Sequence, residues 1–141
     1  MTLRMDQEAL SAFLANDFAQ VADQFSVEAL TDEGLVLRLR VAEAHLRPGG
    51  TVSGPAMFGL ADVAIYLTIL SRIGPVALAV TTSATLDFLR KPAAGRDLTC
   101  RTRLLKLGRS LAVADGLIFS DGSEAVVARA SMTYSIPPEK G

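Results

Sequence analysis

The feature that most constrains this chain is an apolar run at residues 54–70, interrupted near its middle by one charge, Asp62. The other side chains there are almost all Ala, Met, Phe, Leu, Val, Ile and Tyr, and Thr68 is the only other clearly polar one. A run of this length approaches what a bilayer needs, but a carboxylate at mid-depth is costly in lipid, and no other segment is comparably apolar. The expected structure is a helix buried inside a domain, closed by Gly74-Pro75. An ionised carboxylate in that setting is costly unless it is paired or reaches water. Asp62 is therefore either an acid satisfied by neighbouring amides and hydroxyls, or a nucleophile or general base in a dry site.

The flanking segments show what surrounds the helix. Leu10, Phe13, Leu14 and Phe18 recur at helical spacing, which predicts a short amphipathic helix over 5–19 within an N-terminal element at 1–22. Strands are expected at 27–30 and 35–41, joined in a hairpin at Thr31-Asp32-Glu33-Gly34. Residues 45–53 are rich in breakers and read as a loop. Four further strands, at 76–89, 97–107, 110–119 and 124–136, are separated by Pro92-Ala93-Ala94-Gly95, by Gly108 and by Asp121-Gly122, and read as three consecutive hairpin connections. The expected class is α+β, a curved antiparallel sheet wrapped around one long central helix. Residues 1–141 form a single domain in this reading, with a flexible tail at 137–141.

A net charge of −1, with 21% charged residues, gives no electrostatic reason to expect a nucleic-acid partner. The lone Cys100 cannot form an internal disulfide, and the N-terminus has no continuous apolar core of the kind that directs secretion, so a reducing cytoplasm is expected. One Cys and one His make a zinc site equally unexpected.

The start of the apolar helix carries a second chemical feature. Pro55 suits the first helical position, which places Gly54 at the cap with its amide free. A free amide backed by the helix dipole can stabilise a developing oxyanion, although Gly and Pro also simply begin helices. Gly54 and Asp62 lie eight residues apart, about 12 Å along a helix at ~1.5 Å per residue, too far to act on one carbonyl. If both act, they come from different subunits of a two-fold dimer.

Arg47-Pro48-Gly49-Gly50-Thr51-Val52-Ser53-Gly54-Pro55 and Gly59-Leu60-Ala61-Asp62-Val63-Ala64, with Leu86-Asp87-Phe88-Leu89-Arg90-Lys91-Pro92-Ala93-Ala94-Gly95 and Leu107-Gly108-Arg109-Ser110, together carry a family resemblance. Over residues 30–136 the chain resembles the hotdog-fold acyl-CoA thioesterases of the phenylacetic-acid-pathway (PaaI-like) group, within the 4-hydroxybenzoyl-CoA thioesterase superfamily. The resemblance implies a hotdog fold, hydrolysis of an acyl-CoA, no cofactor beyond the coenzyme A of the substrate, and a homodimer that pairs into a homotetramer; the apolar Met57, Phe58 and Tyr66 suggest that the acyl group is medium-chain or aromatic. It makes Asp62 the nucleophile or base, Gly54 the oxyanion amide, and Thr81 the hydroxyl that positions water or the carboxylate. Arg90, Lys91 and Arg109 become candidates for the coenzyme A phosphates, which charge-assisted hydrogen bonds would hold. Each of these three also fits ordinary solvated charge, and Thr81 fits a plain strand residue.

The chain departs from the family at three positions: Arg47 stands for its Asn, Ser53 for its His and Pro55 for its second Gly. Arg47 and Ser53 are retained as candidate substrate-binding residues. Met57, Phe58 and Tyr66 fit either an acyl pocket or core packing. His45 precedes the motif and reads as a loop residue rather than a base. Two other functions share the fold: a non-catalytic acyl-CoA sensor, and an acyl-CoA hydratase, for which the Asp62 helix lacks the His-bearing loop.

Overall fold

The computed structural model describes residues 3–138, so the expected tail is described only to Pro138 and the remainder lies outside the described residues. The order is α1 (Gln7–Asp17), β1 (Phe25–Leu30), β2 (Leu35–Leu39), α2 (Gly54–Ile73), β3 (Val80–Phe88), β4 (Leu98–Leu107), β5 (Leu111–Ser120) and β6 (Val126–Ser135), with single 3-10 turns at Ala22–Gln24 and Glu43–His45. Asp6 caps α1 by accepting from the Ala9 amide, and Leu10, Phe13 and Leu14 form its buried stripe.

The apolar run is α2, which continues past residue 70 because Ser71, Arg72 and Ile73 keep helical geometry until Gly74. Gly74 takes φ 97°, and its amide bonds the Leu70 carbonyl; only glycine adopts this conformation readily. From Leu60 to Arg72 every residue except Asp62 is buried, against a six-stranded sheet in the order β1-β2-β4-β5-β6-β3. All five pairings are antiparallel. This is the hotdog arrangement, and α2 is a core helix rather than a membrane span.

One expected connection is corrected. The Pro92-Ala93-Ala94-Gly95 segment is not a hairpin turn, because β3 pairs with β6 at one edge while β4 lies between β2 and β5. Only β4–β5 and β5–β6 are hairpins in this half, and 92–95 belongs to a crossover. The strand expected from 76 begins at Val80, since Val76 and Ala79 close a turn by a backbone bond of 3.1 Å. Strand β2 ends at Leu39, where the Arg40 amide turns to the Gln24 carbonyl and the Val41 amide to the Asp97 carboxylate.

Polar groups inside the fold are paired. The Thr68 hydroxyl donates to the Ala64 carbonyl at 2.7 Å, so the Thr102 hydroxyl, 2.5 Å away, must donate to Thr68 and accept from the Leu35 amide. This chain of bonds fixes α2 against β2 and β4. The β1–β2 turn packs so closely here that a Cβ on Gly34 would collide with the Thr102 carbonyl oxygen.

Candidate active site

Ser53, not Gly54, caps α2: its side-chain oxygen accepts from the Ala56 amide at 3.3 Å, and Gly54 and Pro55 are the first two helical residues. The expectation about the amide survives this shift of one position. A first-turn amide has no partner within its own helix, and Gly54 N–H has none among the described residues. Gly54 opens into a cavity of about 480 Å³ with Arg47, Arg90 and Lys91 and an apolar lining that includes Met57, Phe88 and Leu89. No acidic side chain among the described residues lines it. Three cations of the predicted set thus gather beside the helix dipole, where an anion would be held.

Asp62 opens into a different cavity, of about 250 Å³, lined also by Phe18, Tyr66, Ala77, Thr81 and Tyr134. The Thr81 hydroxyl donates to Asp62 Oδ1 at 2.7 Å, and Tyr134 Oη donates to the same oxygen and approaches the Asp62 carbonyl at 3.0 Å. Oδ2 has no partner among the described residues. Every buried side-chain oxygen and nitrogen there is partnered, so Oδ2 must be accessible. The half-buried carboxylate is therefore gripped on one oxygen and open on the other.

The sheet register explains the grip. Thr81 and Tyr134 are directly opposed across β3 and β6, so their side chains share one face, and that face meets α2 at Asp62. A bulge just after Thr81 shifts the register before Ser83. Burial and the adjacent Asp62 charge push the Tyr134 phenol well above the ordinary tyrosine range. Tyr66 stacks on Tyr134 with centroids 5.8 Å apart, and its hydroxyl donates to the Ala77 carbonyl.

The remaining predicted residues separate. Arg109 lies in a third cavity, with Arg4 and Arg72, at the C-terminal end of α2. Phe58 is 40% exposed, Met57 belongs to the Gly54 cavity and Tyr66 to the Asp62 cavity. His45 Nδ1 accepts from the Ala42 amide, so Nε2 donates to Gln24 Oε1 and both ring nitrogens hold the loop. Tyr134 and Phe18 were not singled out as site residues from the sequence. Phe18 was visible only as part of an apolar stripe, and Tyr134 needs the β3–β6 register to be seen.

Residues 49–127 match the sequence profile of the Thioesterase superfamily. A Pseudomonas aeruginosa protein assigned to the esterases is 38% identical over 104 residues, covering 73% of this chain and 75% of that protein. The crystal structure of a Silicibacter protein assigned as a thioesterase superposes with a TM-score of 0.92 at 59% identity, over 98% of this chain and 96% of that one. A mutant of the phenylacetic acid degradation protein PaaI from Thermus thermophilus gives 0.72 at 27% identity, over 84% and 99%. With this profile match, these relatives and its hotdog architecture, the chain belongs to the thioesterase superfamily and is a thioester hydrolase.

Proposed function

We propose that the protein hydrolyses acyl-CoA to a carboxylic acid and free coenzyme A, in a site formed across a two-fold dimer by Gly54 of one subunit and Asp62 of the other. The observation that carries this is the asymmetry of Asp62, with Oδ1 occupied by two hydroxyls and Oδ2 accessible in a cavity. The Gly54 amide donates to the oxyanion as the thioester carbonyl is attacked, and Asp62 either attacks directly or takes a proton from water. In direct attack the thiolate leaves as an anhydride of Asp62 and the acyl group forms, and water then hydrolyses the anhydride to the acid. In the base route water adds to the carbonyl, the thiolate is expelled, and the proton held by Asp62 passes to it to give free coenzyme A. Arg47, Arg90 and Lys91 hold the phosphates, and the aromatic cavity at Asp62 takes a medium-chain or aromatic acyl group. Neither a metal nor a redox cofactor enters this scheme.

The dimer reading is supported by β3. It is an edge strand, and Leu78, Val80, Phe88 and Leu89, on or beside it, are each more than half exposed. An edge of this kind is a template for a second copy, and pairing β3 with β3 would bring the two half-sites together. A single buried thiol and no disulfide fit a reducing cytoplasm.

The test is thiol release from a panel of acyl-CoAs by wild type and Asp62→Asn. A fall in kcat of at least about a thousandfold is expected; unchanged hydrolysis would sink the mechanism.

A further inference from the structure

We infer that Tyr134 is a positioning residue for this reaction, which with Thr81 occupies Oδ1 of Asp62 so that Oδ2 alone is presented to water or the thioester. The inference rests on the proposed role of Asp62. A carboxylate on a helix can rotate about its terminal torsion and offer either oxygen. Here one hydroxyl comes from β3 and one from β6, in directly opposed positions, and both converge on Oδ1. Tyr134 also reaches the Asp62 carbonyl, so one phenol ties the carboxylate to its own backbone. The phenol is itself held in place by being 3% exposed and stacked on Tyr66, whose hydroxyl is anchored to Ala77.

The ionisable groups facing this cluster are few. Tyr134 comes from β6, Tyr66 from α2 itself, and Asp17 of α1 lies close enough to Tyr66 to act on it. No cation pairs with Asp62 among the described residues. Orientation of the carboxylate thus falls to the two hydroxyls, since no ion pair is available for it.

The experiment pairs Tyr134→Phe with Asp62→Asn. Tyr134→Phe keeps the ring and its stacking and removes only the donor. Its kcat is expected to fall about ten- to a hundredfold, with KM changed less than about threefold, as befits a misoriented catalytic group. Loss of folding would instead scale the active fraction, leaving KM and the kcat per active site unchanged.

A second measurement does not depend on activity. The chain has two tyrosines and no tryptophan, so phenolate absorbance reports Tyr66 and Tyr134 with little background. Asp62→Asn removes the neighbouring negative charge, and one of the two phenols should ionise at lower pH than in wild type. A Tyr134→Phe enzyme with wild-type kcat, or an unchanged phenolate titration in Asp62→Asn, overturns the inference. If Asp62→Asn itself hydrolyses normally, the proposed function fails first, and the two failures are distinguishable.

Discussion

Gly54 and Asp62 share helix α2 but open into two different cavities, Gly54 beside Arg47, Arg90 and Lys91, and Asp62 beside Thr81 and Tyr134. The cation cluster and the Asp62 carboxylate thus lie at different cavities of one chain, with Gly54 and Asp62 about two turns of helix, ~12 Å, apart. One thioester carbonyl could meet both the Gly54 amide and the Asp62 carboxylate only if a second chain completes the site.

The Gly54 amide can be tested without touching Asp62. Gly54→Pro deletes the N–H, and the first helical turn accepts proline; Ser53, at φ −75° and ψ 157°, already has the extended backbone a following proline requires. A loss of about a hundred- to a thousandfold in kcat is expected. Gly54→Ala keeps the amide, and the nearest atoms to its Cβ are those of the Phe88 ring, at 3.3 Å, the end of a side chain rather than backbone. Steady-state kinetics should show alanine far more active than proline.

The cation cluster should govern affinity rather than turnover. Arg90 uses Nε on the Val126 carbonyl at 3.0 Å, leaving its terminal nitrogens for a ligand. Calorimetry with coenzyme A should show Arg90→Ala combined with Lys91→Ala weakening binding about tenfold or more, and wild-type binding falling as salt rises. Arg109→Ala, in the third cavity of the same chain, separates it from this site: a loss equal to the double variant would show that a partner subunit brings Arg109 to the same phosphates.

Close packing at the β1–β2 turn makes a prediction about stability. Gly34→Ala drives a Cβ into the carbonyl and hydroxyl oxygens of Thr102, and the backbone atom cannot move aside. A cost of about 1–3 kcal/mol is expected, seen as a lower Tm in thermal unfolding, with kcat per folded molecule retained.

How much of this was legible in the sequence depended on whether the signal was local. The buried helix, its one charge and its glycine stop lie within one segment, and side-chain chemistry alone exposed them. Thr81 was reached only through the family resemblance, since by itself it reads as a plain strand residue. The β3 placement was not, because Pro92-Ala93-Ala94-Gly95 has the same turn composition whether the next strand folds back or crosses the sheet. Tyr134 was missed for a related reason: it becomes a partner of Asp62 only through its register with Thr81, some fifty residues away in the chain. The cap moved from Gly54 to Ser53 because a hydroxyl competes better than hydrogen for the first free amides.

Subunit complementation tests the shared site most directly. Gly54→Pro and Asp62→Asn, each inactive alone, are co-expressed or mixed and allowed to exchange. In a hybrid dimer one site carries both lesions and the other carries neither, so random pairing should restore about a quarter of wild-type hydrolysis. Recovery of that activity is the result the account predicts. Hybrids shown to form but as inactive as either parent would contradict it.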